Sequence, residues 1–172
     1  MTELITLKFK LNGVGRAVAV EPQTMLADLL REQLGQTDVR VSCDQGVCGV
    51  CTVLVDGTPT TACLTPAFLV ADREVTTVKG LSGNATGLTD VQQAFIACSA
   101  FQCGYCTPGM VLSATALLAE DPSPDRQAIR DWLDANICRC TGYQTIIEAI
   151  ELVAAQRRTR SLAAAAEAEA AD

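Results

Sequence analysis

Cys43-Asp44-Gln45-Gly46-Val47-Cys48-Gly49-Val50-Cys51 brings three thiols into one short loop. Gly46 and Gly49 stand between them, free to take positive φ and to let backbone N–H groups close on sulfur. A fourth thiol, Cys63, follows beyond an Asp56-Gly57 turn. A second quartet is split along the chain as Cys103-x2-Cys106 and Cys138-x-Cys140. Two sets of four thiolates with no imidazole donor beside them suit a soft metal site. Histidine is absent, which excludes mixed Cys/His zinc fingers, Rieske ligation and any His-based general acid or base.

The first spacing, Cys43-x4-Cys48-x2-Cys51 closed by Cys63, is that of a plant-type 2Fe–2S site. Zinc is the alternative, although structural zinc favours paired short C-x2–4-C knuckles. For the second quartet, spacing alone leaves zinc open. Its own argument is position. Thr107-Pro108 and Thr141-x-x-Gln144 are helix-start signals, so Cys106 and Cys140 each precede an expected cap. Helix amino termini lower thiol pKa and favour an anionic cluster. A disulfide framework is the weaker reading, because Met1-Thr2-Glu3-Leu4 carries no basic region leading into an apolar run. A reducing, cytoplasmic setting is expected. The remaining thiol, Cys98, lies in an apolar helical pattern and reads as buried and inert.

The flanking sequence forecasts two units. Residues 3–11 alternate apolar and polar, as a half-buried strand does. Asn12-Gly13 is a hairpin turn signal leading to a return strand from Val14 to Val20. Met25, Leu26, Leu29, Leu30 and Leu34 keep helical spacing, with Gly35 as the stop. Short strands are expected at Thr52 to Val55, after Asp56-Gly57, and at Glu74 to Val78. Beyond Gly80 the pattern becomes helical. Thr89-x-x-Gln92 is a capping box, Ser123-Pro124 repeats the cap-then-proline arrangement, and Ile146, Ile147, Ile150 and Val153 form an apolar stripe. The expected fold is α+β: a ferredoxin-like unit over residues 2–80, a linker at 81–87, a four-helix unit over 88–158, and an Ala/Glu-rich tail over 159–172. That tail is expected to be frayed. Arg157, Arg158 and Arg160 are expected to complement a helix end.

The 172 residues are 49% hydrophobic but only 4% aromatic, so the cores must be built from small aliphatic side chains. A net charge of −7 argues against nucleic-acid binding. No apolar run approaches the length of a membrane span.

Gln102-Cys103-Gly104-Tyr105-Cys106-Thr107-Pro108-Gly109 and Asn136-Ile137-Cys138-Arg139-Cys140-Thr141-Gly142-Tyr143, beside the first cysteine loop, resemble the iron–sulfur subunit of the xanthine oxidase family of molybdenum hydroxylases. The resemblance spans about residues 3–157. It implies an N-terminal β-grasp plant-type ferredoxin domain and a C-terminal four-helix-bundle domain. Cys43, Cys48, Cys51 and Cys63 would hold one 2Fe–2S cluster, and Cys103, Cys106, Cys138 and Cys140 the other. It further implies a large partner subunit carrying molybdopterin, an FAD-binding medium subunit, and assembly as a dimer of heterotrimers. Gln102 would contact the pterin, with Cys140 nearby. The chain would relay electrons and perform no bond chemistry itself; a free-standing two-cluster ferredoxin is the alternative. One departure is visible: Ser42 precedes the first cysteine where glycine is usual, and Asp44-Gln45 replaces a common Gly-Glu.

Overall fold

The computed structural model describes residues 3–82 and 87–169. Strands β1 (Ile5–Leu11) and β2 (Val14–Val20) form an antiparallel hairpin, with Leu7, Phe9 and Leu11 pointing inward and Thr6, Lys8 and Lys10 outward. Asn12 and Gly13 both take positive φ, 52° and 78°, which matches the right-handed twist of the flanking strands. Strands β3 (Thr52–Val55), β4 (Thr58–Thr61) and β5 (Glu74–Thr76) complete a five-stranded sheet of order β2-β1-β5-β3-β4. Only β1 and β5 run parallel.

Helix α1 (Leu26–Asp28) lies where the Leu spacing placed it, but it widens into a π turn over Leu29–Gln33. Leu34 N donates to Leu29 O at 3.1 Å, a five-residue closure. Gly35 then ends the helix at φ 65°. Leu26, Leu29 and Leu30 are fully buried and pack with Phe9, Leu11, Val53 and Val55 as one core.

The second half holds α2 (Asp90–Ala97), α3 (Thr107–Glu120), α4 (Arg126–Leu133) and α5 (Gln144–Glu169). The capping box forms as read: Gln92 N donates to Thr89 Oγ1, and Thr89 N to Gln92 Oε1. Helix α3 is buried along nearly its whole length, which explains why its sequence is apolar on every face. Phe95, Met110, Leu118, Ile129, Leu133, Ile146 and Ile150 form the second core.

The two halves pack on each other. All four residues of β3 are buried. Val53 and Val55 face the sheet's own core, while Leu54 meets Leu112 and Ala116 of α3. A strand covered on both faces reads as an unbroken apolar run.

Several local expectations need correction. Cys106, not Thr107, is the cap position of α3, and no side-chain cap bond is made there. Asp125, not Ser123, caps α4, accepting from Ala128 N at 2.8 Å. Thr141 and Gln144 form no capping box: α5 begins at Gln144, after Gly142 and Tyr143 have both turned to positive φ. The arginines mark no helix end. Arg157 Nε and Arg160 Nη2 both bind Asp90 in the first turn of α2. The tail continues α5 to Glu169 with residues 159–166 exposed, rather than fraying at once. Of the expected linker at 81–87, Leu81 and Ser82 end a 3-10 turn over Val78–Ser82, and residues 83–86 lie outside the described residues.

Candidate metal centres

The first sulfur set is wrapped by the loop between α1 and β3. Cys48, Cys51 and Cys63 are buried and Cys43 is half-buried. Cys48 N points at Cys43 Sγ, 3.4 Å away. The Gln45 backbone N–H, helped by those of Cys48 and Val47, holds the Cys43 thiol down at about 6. Burial instead pushes Cys51, which contacts Cys63, up to about 11. A nest of N–H groups around an anionic sulfur is what a thiolate-bound cluster requires. A thiol raised by burial gives up its proton when a metal takes its place. Gly49 has φ 66°, and a Cβ there would stand 2.1 Å from the Ala135 backbone oxygen. Gly109, at the start of α3, would place a Cβ 2.9 Å from the Gly49 oxygen. The cluster loop therefore touches the helical half backbone to backbone.

The second set gathers from the turn before α3 and the loop before α5. Cys103 and Cys140 are exposed, with their sulfurs 3.6 Å apart; Cys106 is half-buried and Cys138 buried. The Tyr105 N–H lowers the Cys103 thiol. Burial works against Cys138, but the Thr141 hydroxyl, 3.2 Å from its sulfur, and neighbouring N–H groups bring it down. Hydrogen bonding to Cys103 raises Cys140, and burial raises Cys106 to about 12. A cavity of 170 Å³ lies among Cys103, Cys106, Cys138 and Cys140, and Cys48 of the first set also lines it. Beside it, Thr107 Oγ1 is buried without a hydrogen-bond partner among the described residues. A further acceptor at the ligand set would satisfy that orphan.

All eight expected ligands are thus drawn into two groups, and the groups abut. Among the described residues no three Cys, Asp or Glu side chains are arranged to hold a single ion. A two-iron core spreads its four thiolates over two metals and does not require such convergence. The helix-terminus argument applies to Cys106 alone, because three residues separate Cys140 from α5. Gln102 is exposed beside Cys103. Cys98 is half-buried at the end of α2, packed against the helical core, rather than fully enclosed.

Three residues to which the sequence alone assigns no role bind at the groups: two reach from the second to the first, and one braces the second. Tyr105 Oη donates to Val41 O at 2.6 Å, and its ring carries the Arg40 guanidinium 5.4 Å from the centroid. Asn136 is buried, with Nδ2 2.8 Å from Gly49 O. Tyr143 Oη accepts from Cys138 N and donates to Asn136 O. A polar side chain two residues before a ligand cysteine was the available signal, but its partner lies 87 positions away.

Fold and sulfur geometry define a chain of two packed halves with two adjoining thiol quartets, and comparison with known proteins gives the class. Residues 9–85 match the 2Fe–2S iron–sulfur cluster binding domain family, and residues 77–151 match the [2Fe-2S] binding domain family. The chain is 43% identical to the nicotine 6-hydroxylase small subunit of Paenarthrobacter nicotinovorans, over 87% of this chain and 89% of that one. It is 44% identical to the xanthine dehydrogenase iron-sulfur-binding subunit of Escherichia coli O157:H7, over 87% and 94%. The quinoline 2-oxidoreductase structure from Pseudomonas putida 86 superposes with a TM-score of 0.86 at 44% identity, covering 92% of this chain and 97% of its counterpart. The aldehyde oxidoreductase of Desulfovibrio desulfuricans superposes at 0.84 with 43% identity, and there the match covers only 17% of a much longer chain. The chain belongs to the iron–sulfur subunits of the xanthine oxidase family of molybdenum hydroxylases. It is an electron-transfer subunit with two 2Fe–2S centres.

Proposed function

We propose that Cys43, Cys48, Cys51 and Cys63 ligate one cluster and Cys103, Cys106, Cys138 and Cys140 the other. Residues 2–80 and 88–158 then act as the two cluster-bearing units, joined at 81–87, with 159–172 outside both. Each centre supplies one-electron chemistry, taking up and releasing an electron without a bond being made. The chain's own residues favour the thiolate at Cys43, Cys103 and Cys138, hold the two quartets in fixed register and limit water at the first. Electrons enter from a molybdopterin-bearing large subunit at the helical-half quartet, cross to the ferredoxin-type quartet, and leave to an FAD-bearing medium subunit or another acceptor. Gln102 contacts the pterin. The assembly is a dimer of heterotrimers in the cytoplasm, and this chain is its non-catalytic member.

The observation that supports this direction most is the asymmetry of exposure. Cys103 and Cys140 stand at the surface beside Gln102, whereas the first set is buried apart from the half-buried Cys43. A site open at one edge suits direct contact with a cofactor on a partner. Among the described residues no helix is long and apolar enough to cross a membrane. The deciding experiment is tagged purification from the native host. Recovery with a molybdenum-containing large chain is the expected result. Recovery as a lone, fully loaded protein would instead favour the free ferredoxin.

A further inference from the structure

Between the two quartets runs a short backbone bridge. Ile137 N donates to Cys48 O at 2.8 Å. Cys48 belongs to the first set, and Ile137 is bonded directly to Cys138 of the second. A single hydrogen bond therefore joins the backbone of Cys48 to the residue next to Cys138. The segment carrying it, Asn136-Ile137-Cys138, belongs to neither a helix nor a strand, so regular secondary structure does not fix its position.

Two side chains fix it instead. Tyr143 spans the segment: its hydroxyl accepts from Cys138 N at 3.0 Å and donates to Asn136 O at 3.1 Å, one group on each side of Ile137. Tyr143 itself sits at φ 67°, a conformation that a bulky residue holds only when its surroundings demand it. Its carbonyl accepts the Ile147 N–H at 2.9 Å, which anchors it to the first turn of α5. Asn136 ties the start of the segment to the first cluster loop: Nδ2 binds Gly49 O at 2.8 Å and lies 3.3 Å from Thr52 Oγ1, all in a buried setting.

We propose that Tyr143 and Asn136 are positioning residues that clamp the Ile137–Cys48 hydrogen bond and thereby set the electronic coupling between the two centres. This rests on the ligand assignment under Proposed function. Neither side chain is a ligand. Their task is to hold one ligand's backbone against the other's, while a single electron lost by one centre is gained by its neighbour and no proton moves.

The test uses the assembled complex carrying Tyr143→Phe, which removes only the hydroxyl, and separately Asn136→Ala. Iron content, the electron paramagnetic resonance signal of each reduced centre, the splitting between them, and the rate of electron equilibration after rapid reduction are measured. Both variants are expected to keep wild-type iron and both signals, while the splitting falls and equilibration slows about tenfold, equivalent to about 1.4 kcal/mol on the barrier. Unchanged splitting and rate with full iron would overturn the proposal. Iron loss from both variants would also overturn it, by assigning these groups to cluster retention instead. Wild-type complex lacking two iron signals would refute the ligand assignment itself, a failure read separately from either variant.

Discussion

Gly49 and Ala135 meet so closely that a Cβ on Gly49 would lie 2.1 Å from the Ala135 carbonyl oxygen. One residue of the cluster loop thus governs how the two halves seat together. Gly49→Ala combines that clash with positive-φ strain and should cost at least about 2 kcal/mol. Gly13→Ala, where nothing lies within 4 Å of the added atom, should cost only about 1 kcal/mol. Denaturant unfolding of the loaded protein compares the two, and equal costs would show that the loop does not set the packing.

Leu54 buries its side chain between β3 and α3, against Leu112 and Ala116. Leu54→Ala should destabilise the protein by about 2–4 kcal/mol through lost burial and the cavity left behind. If the halves are held chiefly by this contact, the variant unfolds in two steps instead of one. A single transition at the wild-type midpoint would contradict the interface.

Asp90 links the first turn of α2 to Arg157 and Arg160 of α5. Hydrogen bonding to Arg157 holds its carboxyl below the usual range of 3.8, against the opposing effect of burial. Because the folded value is depressed, the stabilisation is present above the unfolded value and fades as pH falls through the folded one. Asp90→Asn should therefore lower stability at neutral pH by about 1 kcal/mol. The gap from wild type should narrow in strong acid. A gap constant from neutrality to strong acid would exclude the ion pair as its source.

The arginine contacts also decide where the tail ceases to matter. Truncation after Arg160 keeps both bonds to Asp90 and removes only residues beyond them. Cluster content and assembly with partner subunits should be unchanged. Truncation after Gln156 removes both arginines and should lower the midpoint of thermal unfolding. Failure of the longer form to assemble would assign the tail a docking role.

Most of the fold could be read from the chain because its signals are local. Alternation over β1, Asn12-Gly13 and Asp56-Gly57 at the hairpins, and the Thr89–Gln92 box each act within a few residues. That the thiols gather in two groups was equally legible, since spacing is a sequence property. What failed were helix starts decided by competition. Thr141 had a capping pattern, but its hydroxyl is engaged by Cys138 Sγ and Tyr143 N, and the helix begins later. Ser123 lost the cap of α4 to Asp125, a carboxylate two residues on. The role of Arg157 and Arg160 is hidden from the sequence because Asp90, their partner, lies 67 positions from Arg157. Asn136 is illegible for the same reason, since its buried bond to Gly49 spans 87 positions; the Tyr143 bonds are local, but they hold an irregular loop that leaves no periodic trace.

Cys98 supplies the control for the thiol assignments. It packs against the helical core at the end of α2 and belongs to neither quartet's spacing. Cys98→Ala should leave both paramagnetic signals intact. Cys103→Ser should erase one signal and stop electron flow through the complex, and full turnover in that variant would refute the order of transfer.

The most direct test of the central claim is elemental analysis of the purified chain beside its reduced-state spectrum. Two matched 2Fe–2S domains require about four irons and four acid-labile sulfides per chain, with two distinguishable paramagnetic centres. Colourless protein containing zinc, or iron enough for one centre only, would contradict it.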